Sequence, residues 1–445
     1  MSYFEDASVV YIPSAVKLSK TYSIKPTDGS GDLTFTRSND TATRVNSSGL
    51  IEKVRTNVLL YSQDFSNAAY ITTGYGNLPS VSVNTTANPL NGAQDADTAT
   101  FTAAGTQCRL LQQFTGLGTT NKFTYSIYIK AGTKSAVNIY TDVTDTGRNA
   151  SFNLSTGTII TQSAGVTASI TSAGFGFYRC SVTTLPTTAG QLEVGIISLV
   201  GEDGSLILFG AQLELSDFGA TDYIATTTAT SVGPVANLPR LDYSGGATCP
   251  SLLLEPQRTN SASQSEDFNG WPTKVNVTTT ANYAVSPDGY QNADRVVFTG
   301  NGFMYPASGV NQTNGVVYTL SCYAKRNGSG TQSIGFFKDG SGAIDNAWTL
   351  TSNWQRFTYT YTAGNTSVVG IAGASGADVS VYGFQFEIGA YATSYIPTLS
   401  AAVTRGAEVC NLLSMSSGVA SGATAGTLFI ELEHKLNSTA GDSFV

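Results

Sequence analysis

The 445-residue chain has a single histidine, His434. A Ser-His-Asp or Cys-His arrangement would have to rest on it alone, and no neighbouring residues support one. Charged residues make up only 12% of the sequence, against about 25% in an ordinary soluble protein. The net charge is −8 and the pI about 4.7. So few basic residues in an acidic chain argue against a phosphate backbone as partner, and no nucleic acid is expected. The five cysteines (Cys108, Cys180, Cys249, Cys322 and Cys410) are scattered, with no CxxC pair. That speaks against a metal centre or a disulfide framework and for buried free thiols. No apolar run reaches the roughly 18 residues of a membrane span, so no membrane insertion is expected. The opening residues Met1 to Asp6 lack the basic and apolar segments of a secretory signal. Synthesis in a cytoplasm is expected, with exit by another route such as particle assembly and lysis. No stretch carries apolar residues at convincing helical spacing.

What is abundant points the other way. The chain has 46 Gly, 22 Tyr and 21 Phe. Thr, Tyr, Phe and Val suit a pleated surface, and Gly, Asn and Asp suit the turns between strands.

The strongest pattern is an internal repeat. Arg55-Thr56-Asn57 recurs as Arg258-Thr259-Asn260, and Asp64-Phe65 as Asp267-Phe268. The block around Asp97 recurs around Asp294, Phe123 to Lys130 recurs as Tyr318 to Lys325, and Gly210 to Glu214 recurs as Gly383 to Glu387. The offset is 203 at Arg55/Arg258, 197 at Asp97/Asp294, 195 at Ser126/Ser321, 177 at Arg179/Arg356, 173 at Glu214/Glu387 and 172 at Tyr223/Tyr395. Order is never broken and the offset only shrinks. The first copy is therefore longer by 31 residues, mostly between Lys130 and Phe177. There Ala150 to Thr158 reads as a strand, a turn and a second strand, an extra hairpin. Within each block side chains alternate as in a strand: Tyr318, Leu320, Cys322 and Ala324 on one face, Thr319, Ser321, Tyr323 and Lys325 on the other. One face is expected to pack and the other to meet solvent or a ligand. Short strands separated by turn residues predict an all-β chain of two tandem antiparallel jelly-roll sandwiches.

The expected division is an N-terminal segment 1–30, a connecting stretch 31–57, a first jelly roll 58–225, a linker 226–257, a second jelly roll 258–399, and a stretch 400–445. The last ends in Gly426 to Leu432, which reads as the entry to an incomplete third sandwich.

These residues carry a resemblance. Thr34 to Ser38 with Thr41 to Ile51, and Leu238 to Tyr243 followed by Pro250 to Asn260, resemble segments of bacteriophage virion structural proteins. Val10 to Ser14 resembles the N-termini of such proteins in phages of Bacteroidetes-type hosts, including crAss-like phages. Asn153 to Thr158, the Gln-Leu-Glu block and the Ala-Thr-Ser-Tyr-Ile-Pro block are similar to carbohydrate-binding-module-like jelly rolls. The last forty residues resemble the start of a laminin-G/concanavalin-like domain. The resemblance implies a head fibre, tail fibre or other virion-surface protein. Residues 1–30 would anchor it to capsid or tail proteins, and it would assemble as a homo-oligomer, expected to be a trimer. Its jelly rolls would attach the particle to host or environmental polysaccharide. A tail-associated receptor-binding adhesin and the binding portion of a polysaccharide depolymerase are the alternatives.

No catalytic residue is expected. Asp97, Glu214, Asp294 and Glu387 are the obvious acids, but each repeats in both copies. That favours a role in the shared fold: turn caps, strand-end hydrogen bonds, or ligation of a cation. Glu214 and Glu387 are the candidate ligands of a structural Ca²⁺, the one cofactor in view. A sugar needs a flat aromatic face with polar groups beside it. Tyr70 and Tyr75 in the first copy, and Trp271, Phe303 and Tyr305 in the second, are the candidates, set against a plain role in the core.

Overall fold

The computed structural model describes residues 7–17, 19–71, 76–103, 105–115, 121–141, 148–186, 191–330 and 332–412. The segment proposed as the start of a third sandwich, and His434, lie outside these. The chain is all-β: among the described residues one 3₁₀ turn, Ser244–Gly246, interrupts a series of antiparallel strands. It divides into two units, Arg55–Val232, and residues 1–54 together with 233–445.

The first copy is a sandwich of two sheets. One runs Val166–Gly174, Phe177–Thr184, Phe123–Ala131, Gly204–Leu215, Gln94–Phe101, Ser80–Ala87. The other runs Thr158–Gln162, Asn149–Asn153, Ala136–Thr141, Gln191–Ser198, Cys108–Thr115. Alternation supplies the core between them: Tyr125, Ile127 and Ile129 meet Val137, Ile139, Val194 and Ile196. The opposite face of the first sheet is buried too, contrary to the expectation of an open face. Tyr128, Phe177 and Phe209 form a second cluster there with Tyr223, on the segment that follows Leu215. Polar anchors hold that segment down. Asn57 Nδ2 donates to the carbonyls of Ala211 and Ile224 at 3.1 and 2.8 Å, and the Ile224 amide donates to Gln212 Oε1 at 2.7 Å.

The second copy repeats this plan with two changes. Ala293–Tyr305 is one unbroken strand that belongs to both sheets, pairing with Asp378–Ile388 near its start and with Gly370–Gly373 near its end. In the first copy the same path is split into Gln94–Phe101 and Cys108–Thr115. The extra residues of the first copy are also explained. Asn149–Asn153 has a short counterpart, Asn346–Ala347, so the true additions are Thr158–Gln162 and Val166–Gly174, one strand for each sheet. Where they are missing, rings take their place. Ile170, Ala168 and Val166 sit opposite Cys180, Val182 and Thr184 in the first copy. In the second, Phe357, Tyr359 and Tyr361 occupy the positions of Cys180, Val182 and Thr184, and Trp348 stacks on Phe357 at 5.1 Å.

All five cysteines are free. Cys108, Cys180 and Cys322 are buried as expected, Cys410 is partly buried, and Cys249 is exposed. Burial pushes the thiols of Cys180 and Cys322 up, which keeps them protonated and inert.

The stretches 31–57 and 226–257 are not loose connections. Arg55–Asn57 pairs with Thr230–Val232, and Arg258–Asn260 with Val403–Arg405, so each copy is closed by a ladder beyond the expected limits. Leu33–Thr36 pairs with Val409–Leu412, Thr43–Val45 with Ile51–Lys53, and Arg240–Asp242 with Ser251–Leu253. Residues 7–30 add the short strands Val16–Lys17 and Lys20–Thr21 to the first of these sheets. Few of the large apolar side chains in these pieces are buried, Phe35 and Ile51 being the exceptions, and their centre is ionic. Glu408 accepts from Arg37 Nη1 at 2.8 Å and from Arg240 Nε and Nη2 at 2.6 and 2.5 Å. Glu255 accepts from Arg240 Nη2 and forms an ion pair with Arg405 Nη1, each at 2.8 Å. The side chains of the three arginines and Glu408 are 0% exposed. Further guanidinium donors go to the carbonyls of Leu238, Thr43 and Pro256 and to Ser394 Oγ, while Arg405 Nε is buried without a hydrogen-bond partner.

Charges taken out of water survive only when paired and hydrogen-bonded, and removing one partner leaves the others stranded. Arg240→Ala is therefore expected to destabilise this unit by about 3–5 kcal/mol, read by denaturant unfolding, with the first copy's transition unchanged. Burial alone would raise the Glu255 carboxyl, but Arg405 and Arg240 overcome it and hold it at about 2. Asp288, likewise buried, is held at about 2 by Lys53. Both sit below ordinary carboxyls, so their stabilisation is complete above a pH of about 4 and is lost as pH falls towards 2. A pH titration of thermal unfolding should show this unit melting earlier than Arg55–Val232 over that window.

Candidate functional site

The four repeated acids are consumed by the chain's own donors. Asp97 accepts the amides of Asn84 and Phe65 at 2.9 and 3.1 Å; Asp294 accepts those of Asn282 and Asn269 at 2.9 and 2.8 Å. Asp97 thereby ties Phe65 of the Asp-Phe pair, and Asp294 the residue after that pair, to a bulge in the neighbouring strand. Glu214 Oε1 accepts from Gln212 Nε2 and the Thr221 amide, and Oε2 from Thr221 Oγ1. Glu387 does the same with Gln385 and Thr393. Both glutamates are buried. Their oxygens point at donors, and no group of three His, Cys, Asp or Glu side chains gathers among the described residues. The residues present do not fit a Ca²⁺ site at Glu214 or Glu387, which corrects the expectation of a ligand role. They lock the segment that covers the sheet's outer face.

The aromatic candidates separate into two kinds. Tyr70 is 3% exposed and Trp271 1%. They are equivalent core residues. Tyr70 packs on Phe65 and donates to the carbonyl of Tyr61 at 3.3 Å; Trp271 packs on Phe268 and donates from Nε1 to the carbonyl of Gln264 at 2.9 Å. Neither has a free face for a sugar, so both are corrected to core positions. A cleft of about 130 Å³ beside Tyr70 is smaller than the roughly 300 Å³ at which ligand pockets begin. Tyr75 lies outside the described residues.

Phe303 and Tyr305 are different. They lie two apart on Ala293–Tyr305, with Met304 between them pointing into the core. Both rings therefore stand on the outer face of the second sheet, half-buried. Their planes are 4° apart and their centroids 6.2 Å apart. Phe337, buried, meets both edge-on at 5.6 and 6.4 Å and forms the floor. Glycine makes the approach possible. At Gly370 a Cβ would come 2.3 Å from the Met304 carbonyl and 2.9 Å from Phe337, and at Gly342 one would come 2.1 Å from the Phe303 ring. Gly342 follows an exposed turn in which Ser341 Oγ donates to Asp339 Oδ1 at 2.5 Å.

The first copy shows how the same face looks without this feature. The ladders place Arg109, Leu111, Tyr140 and Ile197 where the second copy has Phe303, Tyr305, Phe337 and Ala372. Leu111, Tyr140 and Ile197 form a closed cluster, and Ile71 bridges to Leu111 across it. Sequence reasoning named Phe303 and Tyr305 but missed Phe337, because Phe336-Phe337 gives no sign of which ring faces inward.

No protein-family model and no curated protein matches the chain. Among solved structures it is similar to the tandem CBM22-1 and CBM22-2 domains of Xyn10C from Paenibacillus barcinonensis. That match has 8% identity and a TM-score of 0.25, and covers 75% of this chain and 98% of that one. It is also similar to the CBM22-1–GH10 modules of the endo-1,4-β-D-xylanase Xyn10B from Clostridium thermocellum, solved with xylohexaose. There the identity is 18% and the TM-score 0.23, over 32% of this chain and 30% of that one. The jelly-roll assignment is carried by the strand order and registers given above.

Two outcomes check these placements. Trp271→Ala should cost about 3–5 kcal/mol of stability, as other buried large-to-small changes do. Adding Ca²⁺ or a chelator should leave the melting temperature unchanged; a rise with Ca²⁺ that Glu387→Gln abolishes would restore the cation reading.

Proposed function

We propose that this chain is a virion-surface protein of a bacteriophage, of head-fibre or tail-fibre type, and that its second jelly roll binds polysaccharide at Phe303 and Tyr305. The virion reading rests on the resemblance of Thr34 to Ile51 and Leu238 to Asn260 to such proteins. In this reading residues 1–30 meet other capsid or tail proteins, and the jelly rolls meet host or environmental glycan. The observation that carries glycan binding is the pair of parallel, half-buried rings on one strand. Apolar ring faces of a sugar stack on such a surface. Because the rings are fixed by Phe337 and by the sheet, little side-chain freedom is lost on binding.

A glycan array on the purified chain, followed by calorimetry on the strongest ligand, tests this. Phe303→Ala and Tyr305→Ala should each weaken binding about tenfold or more, which is about 1.4 kcal/mol per ring, with the circular dichroism of the folded chain retained. Arg109→Ala, at the matching place in the first copy, should leave affinity unchanged. Binding that survives the double Phe303→Ala/Tyr305→Ala variant would remove this face as the site. Antibody labelling of purified phage particles tests the virion reading separately.

A further inference from the structure

The strand Gln355–Thr362 ends its sheet. It pairs with Val317–Arg326 on one side, and among the described residues no strand pairs on the other. At the same place in the first copy, Phe177–Thr184 pairs on both sides, with Phe123–Ala131 and with Val166–Gly174. The two strands are anchored alike. Arg179 Nη2 donates to Ser126 Oγ at 3.0 Å and lies over the Tyr128 ring; Arg356 Nη2 donates to Ser321 Oγ at 2.9 Å and lies over the Tyr323 ring. The fold thus has a seat for one more antiparallel strand, filled in one copy and open in the other.

The open strand carries neither bulge nor proline. Exposed edges are normally blunted by bulges, proline or charge. Here the register runs unbroken from Val317↔Thr362 to Ala324↔Gln355. There is no proline, and the one charge on the strand, Arg356, is drawn onto Ser321 and Tyr323, while Lys338 lies over the Tyr359 and Tyr361 rings and donates to the Tyr359 hydroxyl at 3.0 Å. Edge residues Phe357-Thr358-Tyr359-Thr360-Tyr361 read the same by type in either direction about Tyr359. In an antiparallel pair, directly opposed residues share a sheet face. A two-fold axis at Tyr359 would set Tyr359 against itself, Phe357 against Tyr361, and Thr358 against Thr360. Every opposed pair in this block is then aromatic with aromatic or Thr with Thr, both favourable across strands. The strand itself carries no carboxylate.

We propose that two copies of the chain join through Gln355–Thr362, antiparallel about a two-fold axis at Tyr359, so that one sheet continues across the pair. Such a contact is closed by symmetry and stops at two.

The full chain carrying Cys249→Ser, which removes the exposed thiol, provides the test. Light scattering after gel filtration should give the mass of two chains. Thr358→Lys/Thr360→Lys changes two exposed side chains and sets lysines opposite lysines. It should halve the mass while circular dichroism stays the same. Under mild oxidation Tyr359→Cys should give a covalent dimer, because opposed Cα atoms about 4.5–5.5 Å apart are within disulfide reach. Thr358→Cys, which would face Thr360 of the other copy, should not. A mass of one chain or of three for the parent protein, a dimer that survives the lysine pair, or equal cross-linking at 358 and 359 would each overturn the proposal.

Discussion

The buried cluster of Arg37, Arg240 and Arg405 with Glu255 and Glu408 is the constraint on which the larger unit depends. Three stretches far apart in sequence meet there, and none has an apolar stripe of its own. A hydrophobic contact would tolerate sliding; charges held at hydrogen-bond distance do not. With three cations and two anions, the balance is completed by backbone carbonyls and by Ser394, which donates to Glu255 from both its amide and its hydroxyl. Such a cluster gives a poor return in free energy compared with apolar packing of equal volume. What it supplies here is a single register for the short strands around it.

The duplication shows which features the sandwich needs and which are free to change. The Asn, Gln, Glu and Asp anchors are the same in both copies to within a few tenths of an ångström. They satisfy backbone groups of a segment that would otherwise lie unpaired over a buried sheet face. Two other places differ: the side edge, where rings replace a strand, and the outer face of the second sheet, where paired aromatics replace a closed aliphatic patch. One copy has kept a sealed surface and the other an aromatic one. A further difference lies over the second copy's sheet, where Tyr382 and Tyr395 contact Glu266, and Lys53 bonds Glu266 and Asp288. The first copy has Phe209 and Tyr223 in the corresponding positions.

Much of this was legible in the sequence. Alternation and turn residues identified strands, and the falling offset located the duplication and its insertion. Repetition itself argued that the shared acids serve the fold. The same logic, applied to Tyr70 and Trp271, would have placed them in the core, since each follows an Asp-Phe pair at nearly equal distance. The ionic cluster was not legible: five residues from position 37 to 408 show no spacing that local rules can read. Nor could the sequence say that the opposite sheet face would be covered, because alternation assigns a side chain to a face and not to its surroundings.

Arg37 and Glu408, in direct contact, are separated by 371 positions. The whole first sandwich, Arg55–Val232, is interposed between the two halves of its neighbour. During synthesis at roughly 5–20 residues per second, the early half emerges tens of seconds before its charge partner exists. In that interval Arg37 must remain solvated, while the interposed sandwich already has all its strands and can complete its own core. Order of assembly is thereby written into chain connectivity: the inserted module matures first, and its host waits for the last strand.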